Sequence, residues 1–494
     1  MLLLRVTILL PLKLVWWLAQ SIWLNMMDVV GFVSFYQKRK PLPTHGNAAF
    51  AEEKELKGLG HYRPEGWLVG VHGNKRLFTA AESCAIGMAP RRSGKSQTAI
   101  AQLKELAARP NKADVIVADA AGDLLRETRA DYEAAGYQVR VINFIDPAAS
   151  EIYDPLTFLR PRLIYDFDRQ IDQLVQLIMP DDAHTKEAHF QEFARILFAG
   201  MLSYLMKEDP DNATLYNAAA YLTTDVNRRN TLFSKMRNST DPIVQQAVSA
   251  FNEAGDKEKG SFSTTMTRKT KVWLRPSVRA LTETGEVDAL GHLERGWSWD
   301  DVFRGDIPTI TYIRTGLGTD EGAAARLILG NAINTRRYMW NEEGVPGKRD
   351  LRILVDEAVT LGNCQAIVDA TNELGKAGVF VMMWFLSMRD VFQTYPNAKT
   401  LINNCDIFVF GGGKEMDFYE DVSRMIGEKT IENMGFSESD HGESHSRNEQ
   451  ARRVVKADEL RRMPFSDMVA VLGSIAVKAQ KPFRITKDGR MEHL

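Results

Sequence analysis

Apolar and polar positions follow two different periods along this chain, and the order of those periods predicts its architecture. Short continuous apolar runs bounded by turn formers read as buried strands at 84–88, 113–119, 138–144, 307–313, 351–357, 378–384, 406–410 and 468–472. Between several of them, apolar residues recur at three- and four-residue spacing, which predicts helices over 97–108, 123–135 and 321–338. Strand–helix–strand order with apolar strands predicts an α/β fold, a mostly parallel sheet covered on both faces. Two further short runs, 67–71 and 76–79, flank a His-Gly-Asn-Lys turn and predict a β-hairpin ahead of the first buried strand.

The pattern changes twice. From about 162 to 290 the period is helical and strand signals vanish. The clearest helix there is 189–206, another runs 241–251, and Asn212 and Asp225 are candidate caps for two more. This predicts an all-α domain inserted into the sheet domain. Near the start, 14–36 is mostly apolar and Lys38, Arg39 and Lys40 follow at once. That length spans a bilayer with the basic flank on the cytoplasmic side. Lys13 and Asp28 leave a helix lying in the membrane surface as the alternative. The domain reading is therefore a membrane anchor over 1–40, a linker over 41–65, a sheet domain over 66–160 and 301–494, and an all-α insertion over 161–300. The stretch 437–450 is polar and rich in Ser, Glu and His, and reads as a mobile loop. No element there would fix His441 and His445, so the pair predicts no metal site.

Composition narrows the function classes. The chain is 44% hydrophobic and 26% charged, with a formal net charge of −2. That balance excludes a surface that binds nucleic acid everywhere, but it permits a local basic channel. Cys84, Cys364 and Cys405 lie far apart without metal-ligand spacing, and read as buried free thiols in a reducing compartment.

The chemistry concentrates where the first buried strand ends. Ala89-Pro90-Arg91-Arg92-Ser93-Gly94-Lys95-Ser96 links that strand to a helix opening at Gln97. A strand, a Gly-Lys-Ser turn and a helix form a phosphate-binding loop, whose backbone amides and helix N-terminus converge on a polyphosphate. Lys95 would reach the terminal phosphates and Ser96 would ligate Mg²⁺. The pattern ordinarily begins with Gly, and Ala89 stands there instead, so the loop must start in an ordinary backbone conformation. Across the sheet, 351–357 ends in Asp356-Glu357. Asp356 would sit on the metal side, and Glu357 would orient and deprotonate an attacking water.

These motifs, in this order, resemble the coupling proteins of type IV secretion and bacterial conjugation, over roughly 66–484. The likeness rests on Ala89–Ser96, Tyr153-Asp154-Pro155-Leu156, Thr311-Tyr312-Ile313, Leu354-Val355-Asp356-Glu357 and 452–459. It implies a membrane-anchored, RecA-like P-loop ATPase using ATP and Mg²⁺ in a homo-oligomeric, hexameric ring at the bacterial inner membrane, with most of the chain cytoplasmic. It also implies partners: channel components, and a relaxase–DNA complex or effector proteins as cargo. The family's finger Arg corresponds to Lys376, and its two γ-phosphate-sensing Gln positions hold Leu386 and Asp390, with Gln393 nearby. Arg389 and Arg452 are alternative finger candidates. These departures make a nucleotide-dependent recruitment platform with little turnover the alternative to a motor. The helical insertion is the expected substrate-contact region, with Arg268, Lys269, Lys271, Trp273 and Arg275 as candidates. The same run also reads as a solvated basic face with Trp273 in the core.

Overall fold

Except for the edge strand at 138–143, whose first three residues are exposed or half-buried, the strands predicted from continuous apolar runs are buried along most of their length, as strands covered on both faces must be. In the computed structural model they are β1 (Leu68–His72), β2 (Lys75–Phe78), β3 (Cys84–Met88), β4 (Asp114–Ala118), β5 (Gln138–Asn143), β6 (Thr309–Arg314), β7 (Leu351–Val355), β8 (Val379–Phe385) and β9 (Cys405–Phe410). Later come β10 (Glu428–Ser439), β11 (Gly442–Arg453), β12 (Asp467–Leu472) and β13 (Ile475–Gln480). The structure describes residues 44–160, 166–181, 188–223, 226–283, 297–318, 320–439, 442–485 and 491–493, with 16–17, 20–23 and 26 near the start. The expected membrane anchor falls mostly outside these residues. Among the described residues no helix is long and apolar enough to cross a membrane.

One eleven-stranded sheet runs β2-β1-β13-β12-β9-β3-β8-β7-β4-β6-β5. From β9 to β5 every pairing is parallel. From β9 to β2 every pairing is antiparallel. The predicted hairpin is β1–β2, and it joins the sheet through the C-terminal hairpin β12–β13, with Val71 opposite Gln480. Strand β13 was not legible as a run, because exposed Lys478 and Gln480 break its apolar pattern.

Gly87 shows why the centre of the sheet tolerates no extra atoms. It lies in β3 opposite Trp384 of β8, and a Cβ there would stand 2.1 Å from Cε3 of that ring. Trp384 is fully buried, with Phe408 and Phe410 of β9 at ring-centroid distances of 6.3 and 5.4 Å. Gly87 therefore serves packing, although in the sequence it looks like a displaced loop glycine.

Between β5 and β6 the described residues form only helices and turns. The long helix Ala188–Glu208 covers the predicted 189–206, and Pro242–Glu253 is capped by Asp241, whose side chain accepts from the Ile243 amide at 2.8 Å. Asn212 is not a cap: the next helix is Leu215–Thr223, and the Thr214 hydroxyl accepts from the Asn217 amide. Asp225 lies outside the described residues.

The chain divides into two units, one of 49–426 with 455–494, the other holding 427–454 with the described residues up to 48. The second unit corrects an expectation. The polar stretch 437–450 is not a loop but part of an antiparallel ribbon, β10 with β11, in unbroken register from Glu428 opposite Arg453 to Ser439 opposite Gly442. Asn47 bridges Lys429 at its base. A ribbon held by its backbone ladder needs no apolar face, so hydrophobic periodicity cannot reveal it.

Gly87→Ala should lower stability by about 1–3 kcal/mol through overpacking, read as a reduced midpoint in thermal or denaturant unfolding. An unchanged midpoint would show that the Trp384 ring is free to move off β3.

Candidate active site

Strand order builds the site. β3 carries the phosphate loop at its carboxyl end, β7 carries Asp356 and Glu357 at its own, and β8 lies between them. All three are parallel, so these ends share one edge of the sheet, where ligands of open α/β sheets sit. The Ala89 amide donates to Phe385 O at the end of β8 at 3.0 Å. Ala89 keeps an ordinary backbone conformation, as expected. The left-handed residues are Arg92 (φ 62°) and Gly94 (φ 93°), so the strain sits in the middle and at the end of the loop. The helix Lys95–Ala108 follows with no side-chain cap and no acidic residue in its first turn. Its first amides are therefore open to an anion. Arg91 and Arg92 are exposed, Ser93 is buried, and Pro90, Gly94, Ser96 and Gln97 are half-buried.

Lys95 reaches over the end of β8. Its Nζ donates to the Asp356 carbonyl at 2.5 Å and to Glu357 Oε2 at 3.1 Å, and stands 3.3 Å from Asp356 Oδ1. The three side chains are only 13%, 11% and 23% exposed, so their charges interact with little water between them. Asp356 Oδ1 is buried and accepts no hydrogen bond among the described residues. This oxygen faces the Lys95 ammonium at 3.3 Å as an ion pair without a hydrogen bond, and a Mg²⁺ held through Ser96 and Asp356 would fit the same donor set.

Neighbouring carboxylates have other work. Asp119, at the end of β4, is fully buried and accepts from the Gly122 and Leu125 amides, both at 2.8 Å. It therefore caps the helix Asp123–Ala134. Burial pushes its carboxyl up, the two amides pull it back, and the Asp356 carboxylate adds to the rise. Asp390, at an expected sensor position, forms a reciprocal capping box with Ser387: Ser387 N donates to its carboxylate and its own N–H donates to Ser387 Oγ. Ser-x-x-Asp is a readable capping signal, and it explains an acid where an amide is expected. Leu386 follows β8 directly and is half-buried.

The finger candidates separate. Lys376 is exposed just before β8 begins at Val379, at the opposite edge of the sheet from the loop. A strand of that length spans about 20 Å, so Lys376 cannot serve the phosphate loop of its own chain. Arg389 is exposed at the start of Met388–Thr394, on the loop's edge. Arg452 pairs with Lys429 in the β10–β11 ribbon.

The basic run of the insertion also divides. Trp273 is 1% exposed, so it belongs to the core, the second of the two sequence readings, and is not available to stack on a base. Arg275 is bound to Asp320 and Glu321 at 2.5 and 2.6 Å, and Lys271 to Asp320 at 2.9 Å. Lys269 donates to Pro180 O at 3.0 Å. Arg268, Lys269 and Lys271 line a cleft of about 730 Å³ together with Asp390, Gln393 and Thr394.

One site residue escaped sequence reading. Lys481, following β13, is 1% exposed and donates to Ser93 O at 2.7 Å and Phe465 O at 2.5 Å. Its ammonium lies over the rings of Phe410 and Phe465 at 4.3 and 4.5 Å. Burial pulls this lysine down to about 8. Lys481 thus pins the phosphate loop from the far end of the chain, while a Cβ on Gly94 would stand 2.4 Å from Phe483 Cζ. A buried lysine serving backbone carbonyls leaves no periodic signal.

This loop, the Asp-Glu strand and the parallel sheet with its all-α insertion define a RecA-like P-loop protein. The family model described as "Type IV secretory system Conjugative DNA transfer" matches residues 46–488, and the chain belongs to that family. Among curated relatives, the type IV secretion system-coupling proteins VirD4 of Bartonella quintana (strain Toulouse) and Bartonella henselae (strain ATCC 49882 / DSM 28221 / CCUG 30454 / Houston 1) are 23% and 24% identical over 200 residues. That stretch is 40% of this chain and spans 29% of each relative's length. Among solved structures, the bacterial conjugative coupling protein TrwBdeltaN70 in its unbound form superposes with a TM-score of 0.65 at 16% identity, covering 90% of this chain and 94% of that one. The plasmid coupling protein TrwB in complex with ADP and Mg²⁺ gives 0.64 at 16% identity, covering 90% and 96%. At that identity the likeness is one of fold.

Lys481→Met, which keeps the stem but removes the donors, should weaken binding of a Mg²⁺-bound polyphosphate about tenfold, measured by titration calorimetry. Lysine's ordinary value is 10.5. The unfolded chain therefore binds the extra proton between about 8 and 10.5, and the stability contributed by Lys481 is lost as pH falls through about 8. Wild type should gain melting temperature relative to Lys481→Met as pH rises through that window. Parallel profiles would contradict the assignment.

Proposed function

We propose that this chain binds Mg·ATP at Ala89–Gln97, hydrolyses it, and uses it to bring a DNA or protein substrate to a type IV secretion channel. The observation that carries this reading is the Lys95 ammonium held between Asp356 and Glu357 at the end of the parallel sheet. Family membership over 46–488 supports the transfer role. The nucleotides named with TrwB, ADP with Mg²⁺ and a non-hydrolysable ATP analogue, support ATP as ligand.

In this mechanism Lys95, the loop amides and the open helix N-terminus bind the β- and γ-phosphates. Ser96 and Asp356 would hold Mg²⁺, which would supply neutralisation of the charge that develops on the phosphoryl oxygens. Glu357, released from Lys95 when phosphate takes over that ammonium, accepts the proton of the attacking water. The active form is a homo-oligomer, a hexameric ring by family analogy, in which the edge carrying Lys376 faces the phosphate loop of the next subunit. The 14–36 segment tethers the ring to the inner membrane, and the exposed Trp16, Trp17 and Trp23 suit a bilayer interface. Arg268, Lys269 and Lys271, along the cleft, are the proposed substrate contacts. A relaxase–DNA complex or effector proteins would be the cargo.

A second reading, a nucleotide-gated recruitment platform with little turnover, is favoured by Leu386 and by Asp390, whose carboxylate is committed to its capping box. Steady-state ATPase activity, with and without DNA, separates the two. On the motor reading, activity falls at least about a hundredfold in Lys95→Ala and in Glu357→Gln, the scale of losing a general base. Activity surviving both changes would overturn the site, and tight ATP binding without turnover in wild type would favour the platform.

A further inference from the structure

The helix Gly322–Glu343 touches both the turn behind Glu357 and the all-α insertion, and it does so along one face. Gly322, Arg326 and Gly330 are spaced by four residues, so they stack on that face. Gly322 lies so close to the turn Ala358–Leu361 that a Cβ would stand 1.9 Å from Thr360 O. Gly330 lies so close to the insertion helix Phe167–Ile178 that a Cβ would stand 2.4 Å from Leu177 Cδ2. Arg326, between them, is 7% exposed. Its Nε donates to Leu177 O at 2.7 Å, its Nη2 to Ile178 O at 3.5 Å, and its Nη1 to Leu361 O.

These carbonyls are not arbitrary. Leu177 and Ile178 end the insertion helix, where carbonyls lack intrahelical donors and the dipole favours a cation. Leu361 ends the turn that hangs from Glu357, whose own carbonyl accepts from Thr360 N and Oγ1 at 3.0 and 2.7 Å. One guanidinium thus ties the turn that orients Glu357 to the last carbonyls of the insertion helix. Its fork geometry suits three acceptors at once. The glycines leave no side chain of the bridging helix to cushion a shift at either contact.

We propose that Arg326 is a positioning residue that transmits the state of Glu357 to the all-α insertion. When nucleotide withdraws Lys95 from Glu357, the 358–361 turn re-seats, and Arg326 carries that change to the end of Phe167–Ile178. The inference rests on the nucleotide reading above.

Hydrogen–deuterium exchange on the full chain, with and without Mg²⁺ and a non-hydrolysable ATP analogue, tests it. In wild type, addition should change exchange at 89–96, at 357–362 and at 172–178, the last by about fivefold, the lower range of a coupling between sites. In Arg326→Gln the first two changes persist and the third disappears. Arg326→Lys, which keeps the charge without the fork, should retain only part of it. A response at 172–178 that survives Arg326→Gln overturns the proposal. So does a wild-type protein that responds at 89–96 and 357–362 but not at 172–178, and that arm needs no variant to fold. A wild type that shows no change at 89–96 overturns the nucleotide reading, and the coupling falls with it.

Discussion

Lys95 has to be satisfied. Its ammonium is nearly dry, and its partners are the Asp356 carbonyl and carboxylate and the Glu357 carboxylate. A charge in such a place needs either these groups or an incoming phosphate, because leaving it unpaired costs several kcal/mol. On the proposed function the site is two-state, with Lys95 on the acids or on an incoming phosphate. The sheet order makes this competition possible. One strand separates the loop from the Asp-Glu pair, a gap that a lysine can span.

The rest of the molecule holds the two ends of this contact still. Behind the loop, Lys481 grips Ser93 O and the Phe465 and Phe483 rings close over Gly94. Below it, the Gly87–Trp384 contact fixes β3 against β8. Behind the acids, Asp119 spends its carboxylate on the next helix, leaving Asp356 as the buried acid at this edge whose Oδ1 accepts no hydrogen bond among the described residues. The turn after Glu357 is the part with an outlet, through Arg326, toward the insertion.

Much of this was legible in the sequence, for a physical reason. Buried parallel strands must be apolar throughout, so runs such as 351–357 and 378–384 announce themselves. A Gly-Lys-Ser turn between a strand and a helix has few other uses. What stayed hidden depends on contacts between distant residues. Lys481 is separated from Ser93 by almost the whole chain, and nothing local marks it as buried. For Trp273 the sequence left two readings open, stacking on bases or packing in the core, because a basic run and a surface that buries one aromatic have the same local pattern; its burial selects the core. The β10–β11 ribbon is mostly polar in sequence, and its backbone ladder leaves no hydrophobic period to read. Asp390 was readable from Ser387, three residues before it, but a capping box carries weight only once a helix start is placed there.

The most direct test of the Lys95 competition is the affinity of Glu357→Gln for Mg·ATP compared with wild type, by equilibrium titration. If Lys95 must leave Glu357 to take phosphate, removing that carboxylate charge frees the ammonium, and the variant binds severalfold more tightly. Unchanged or weaker binding would show that Glu357 does not compete for Lys95, and would contradict the two-state site.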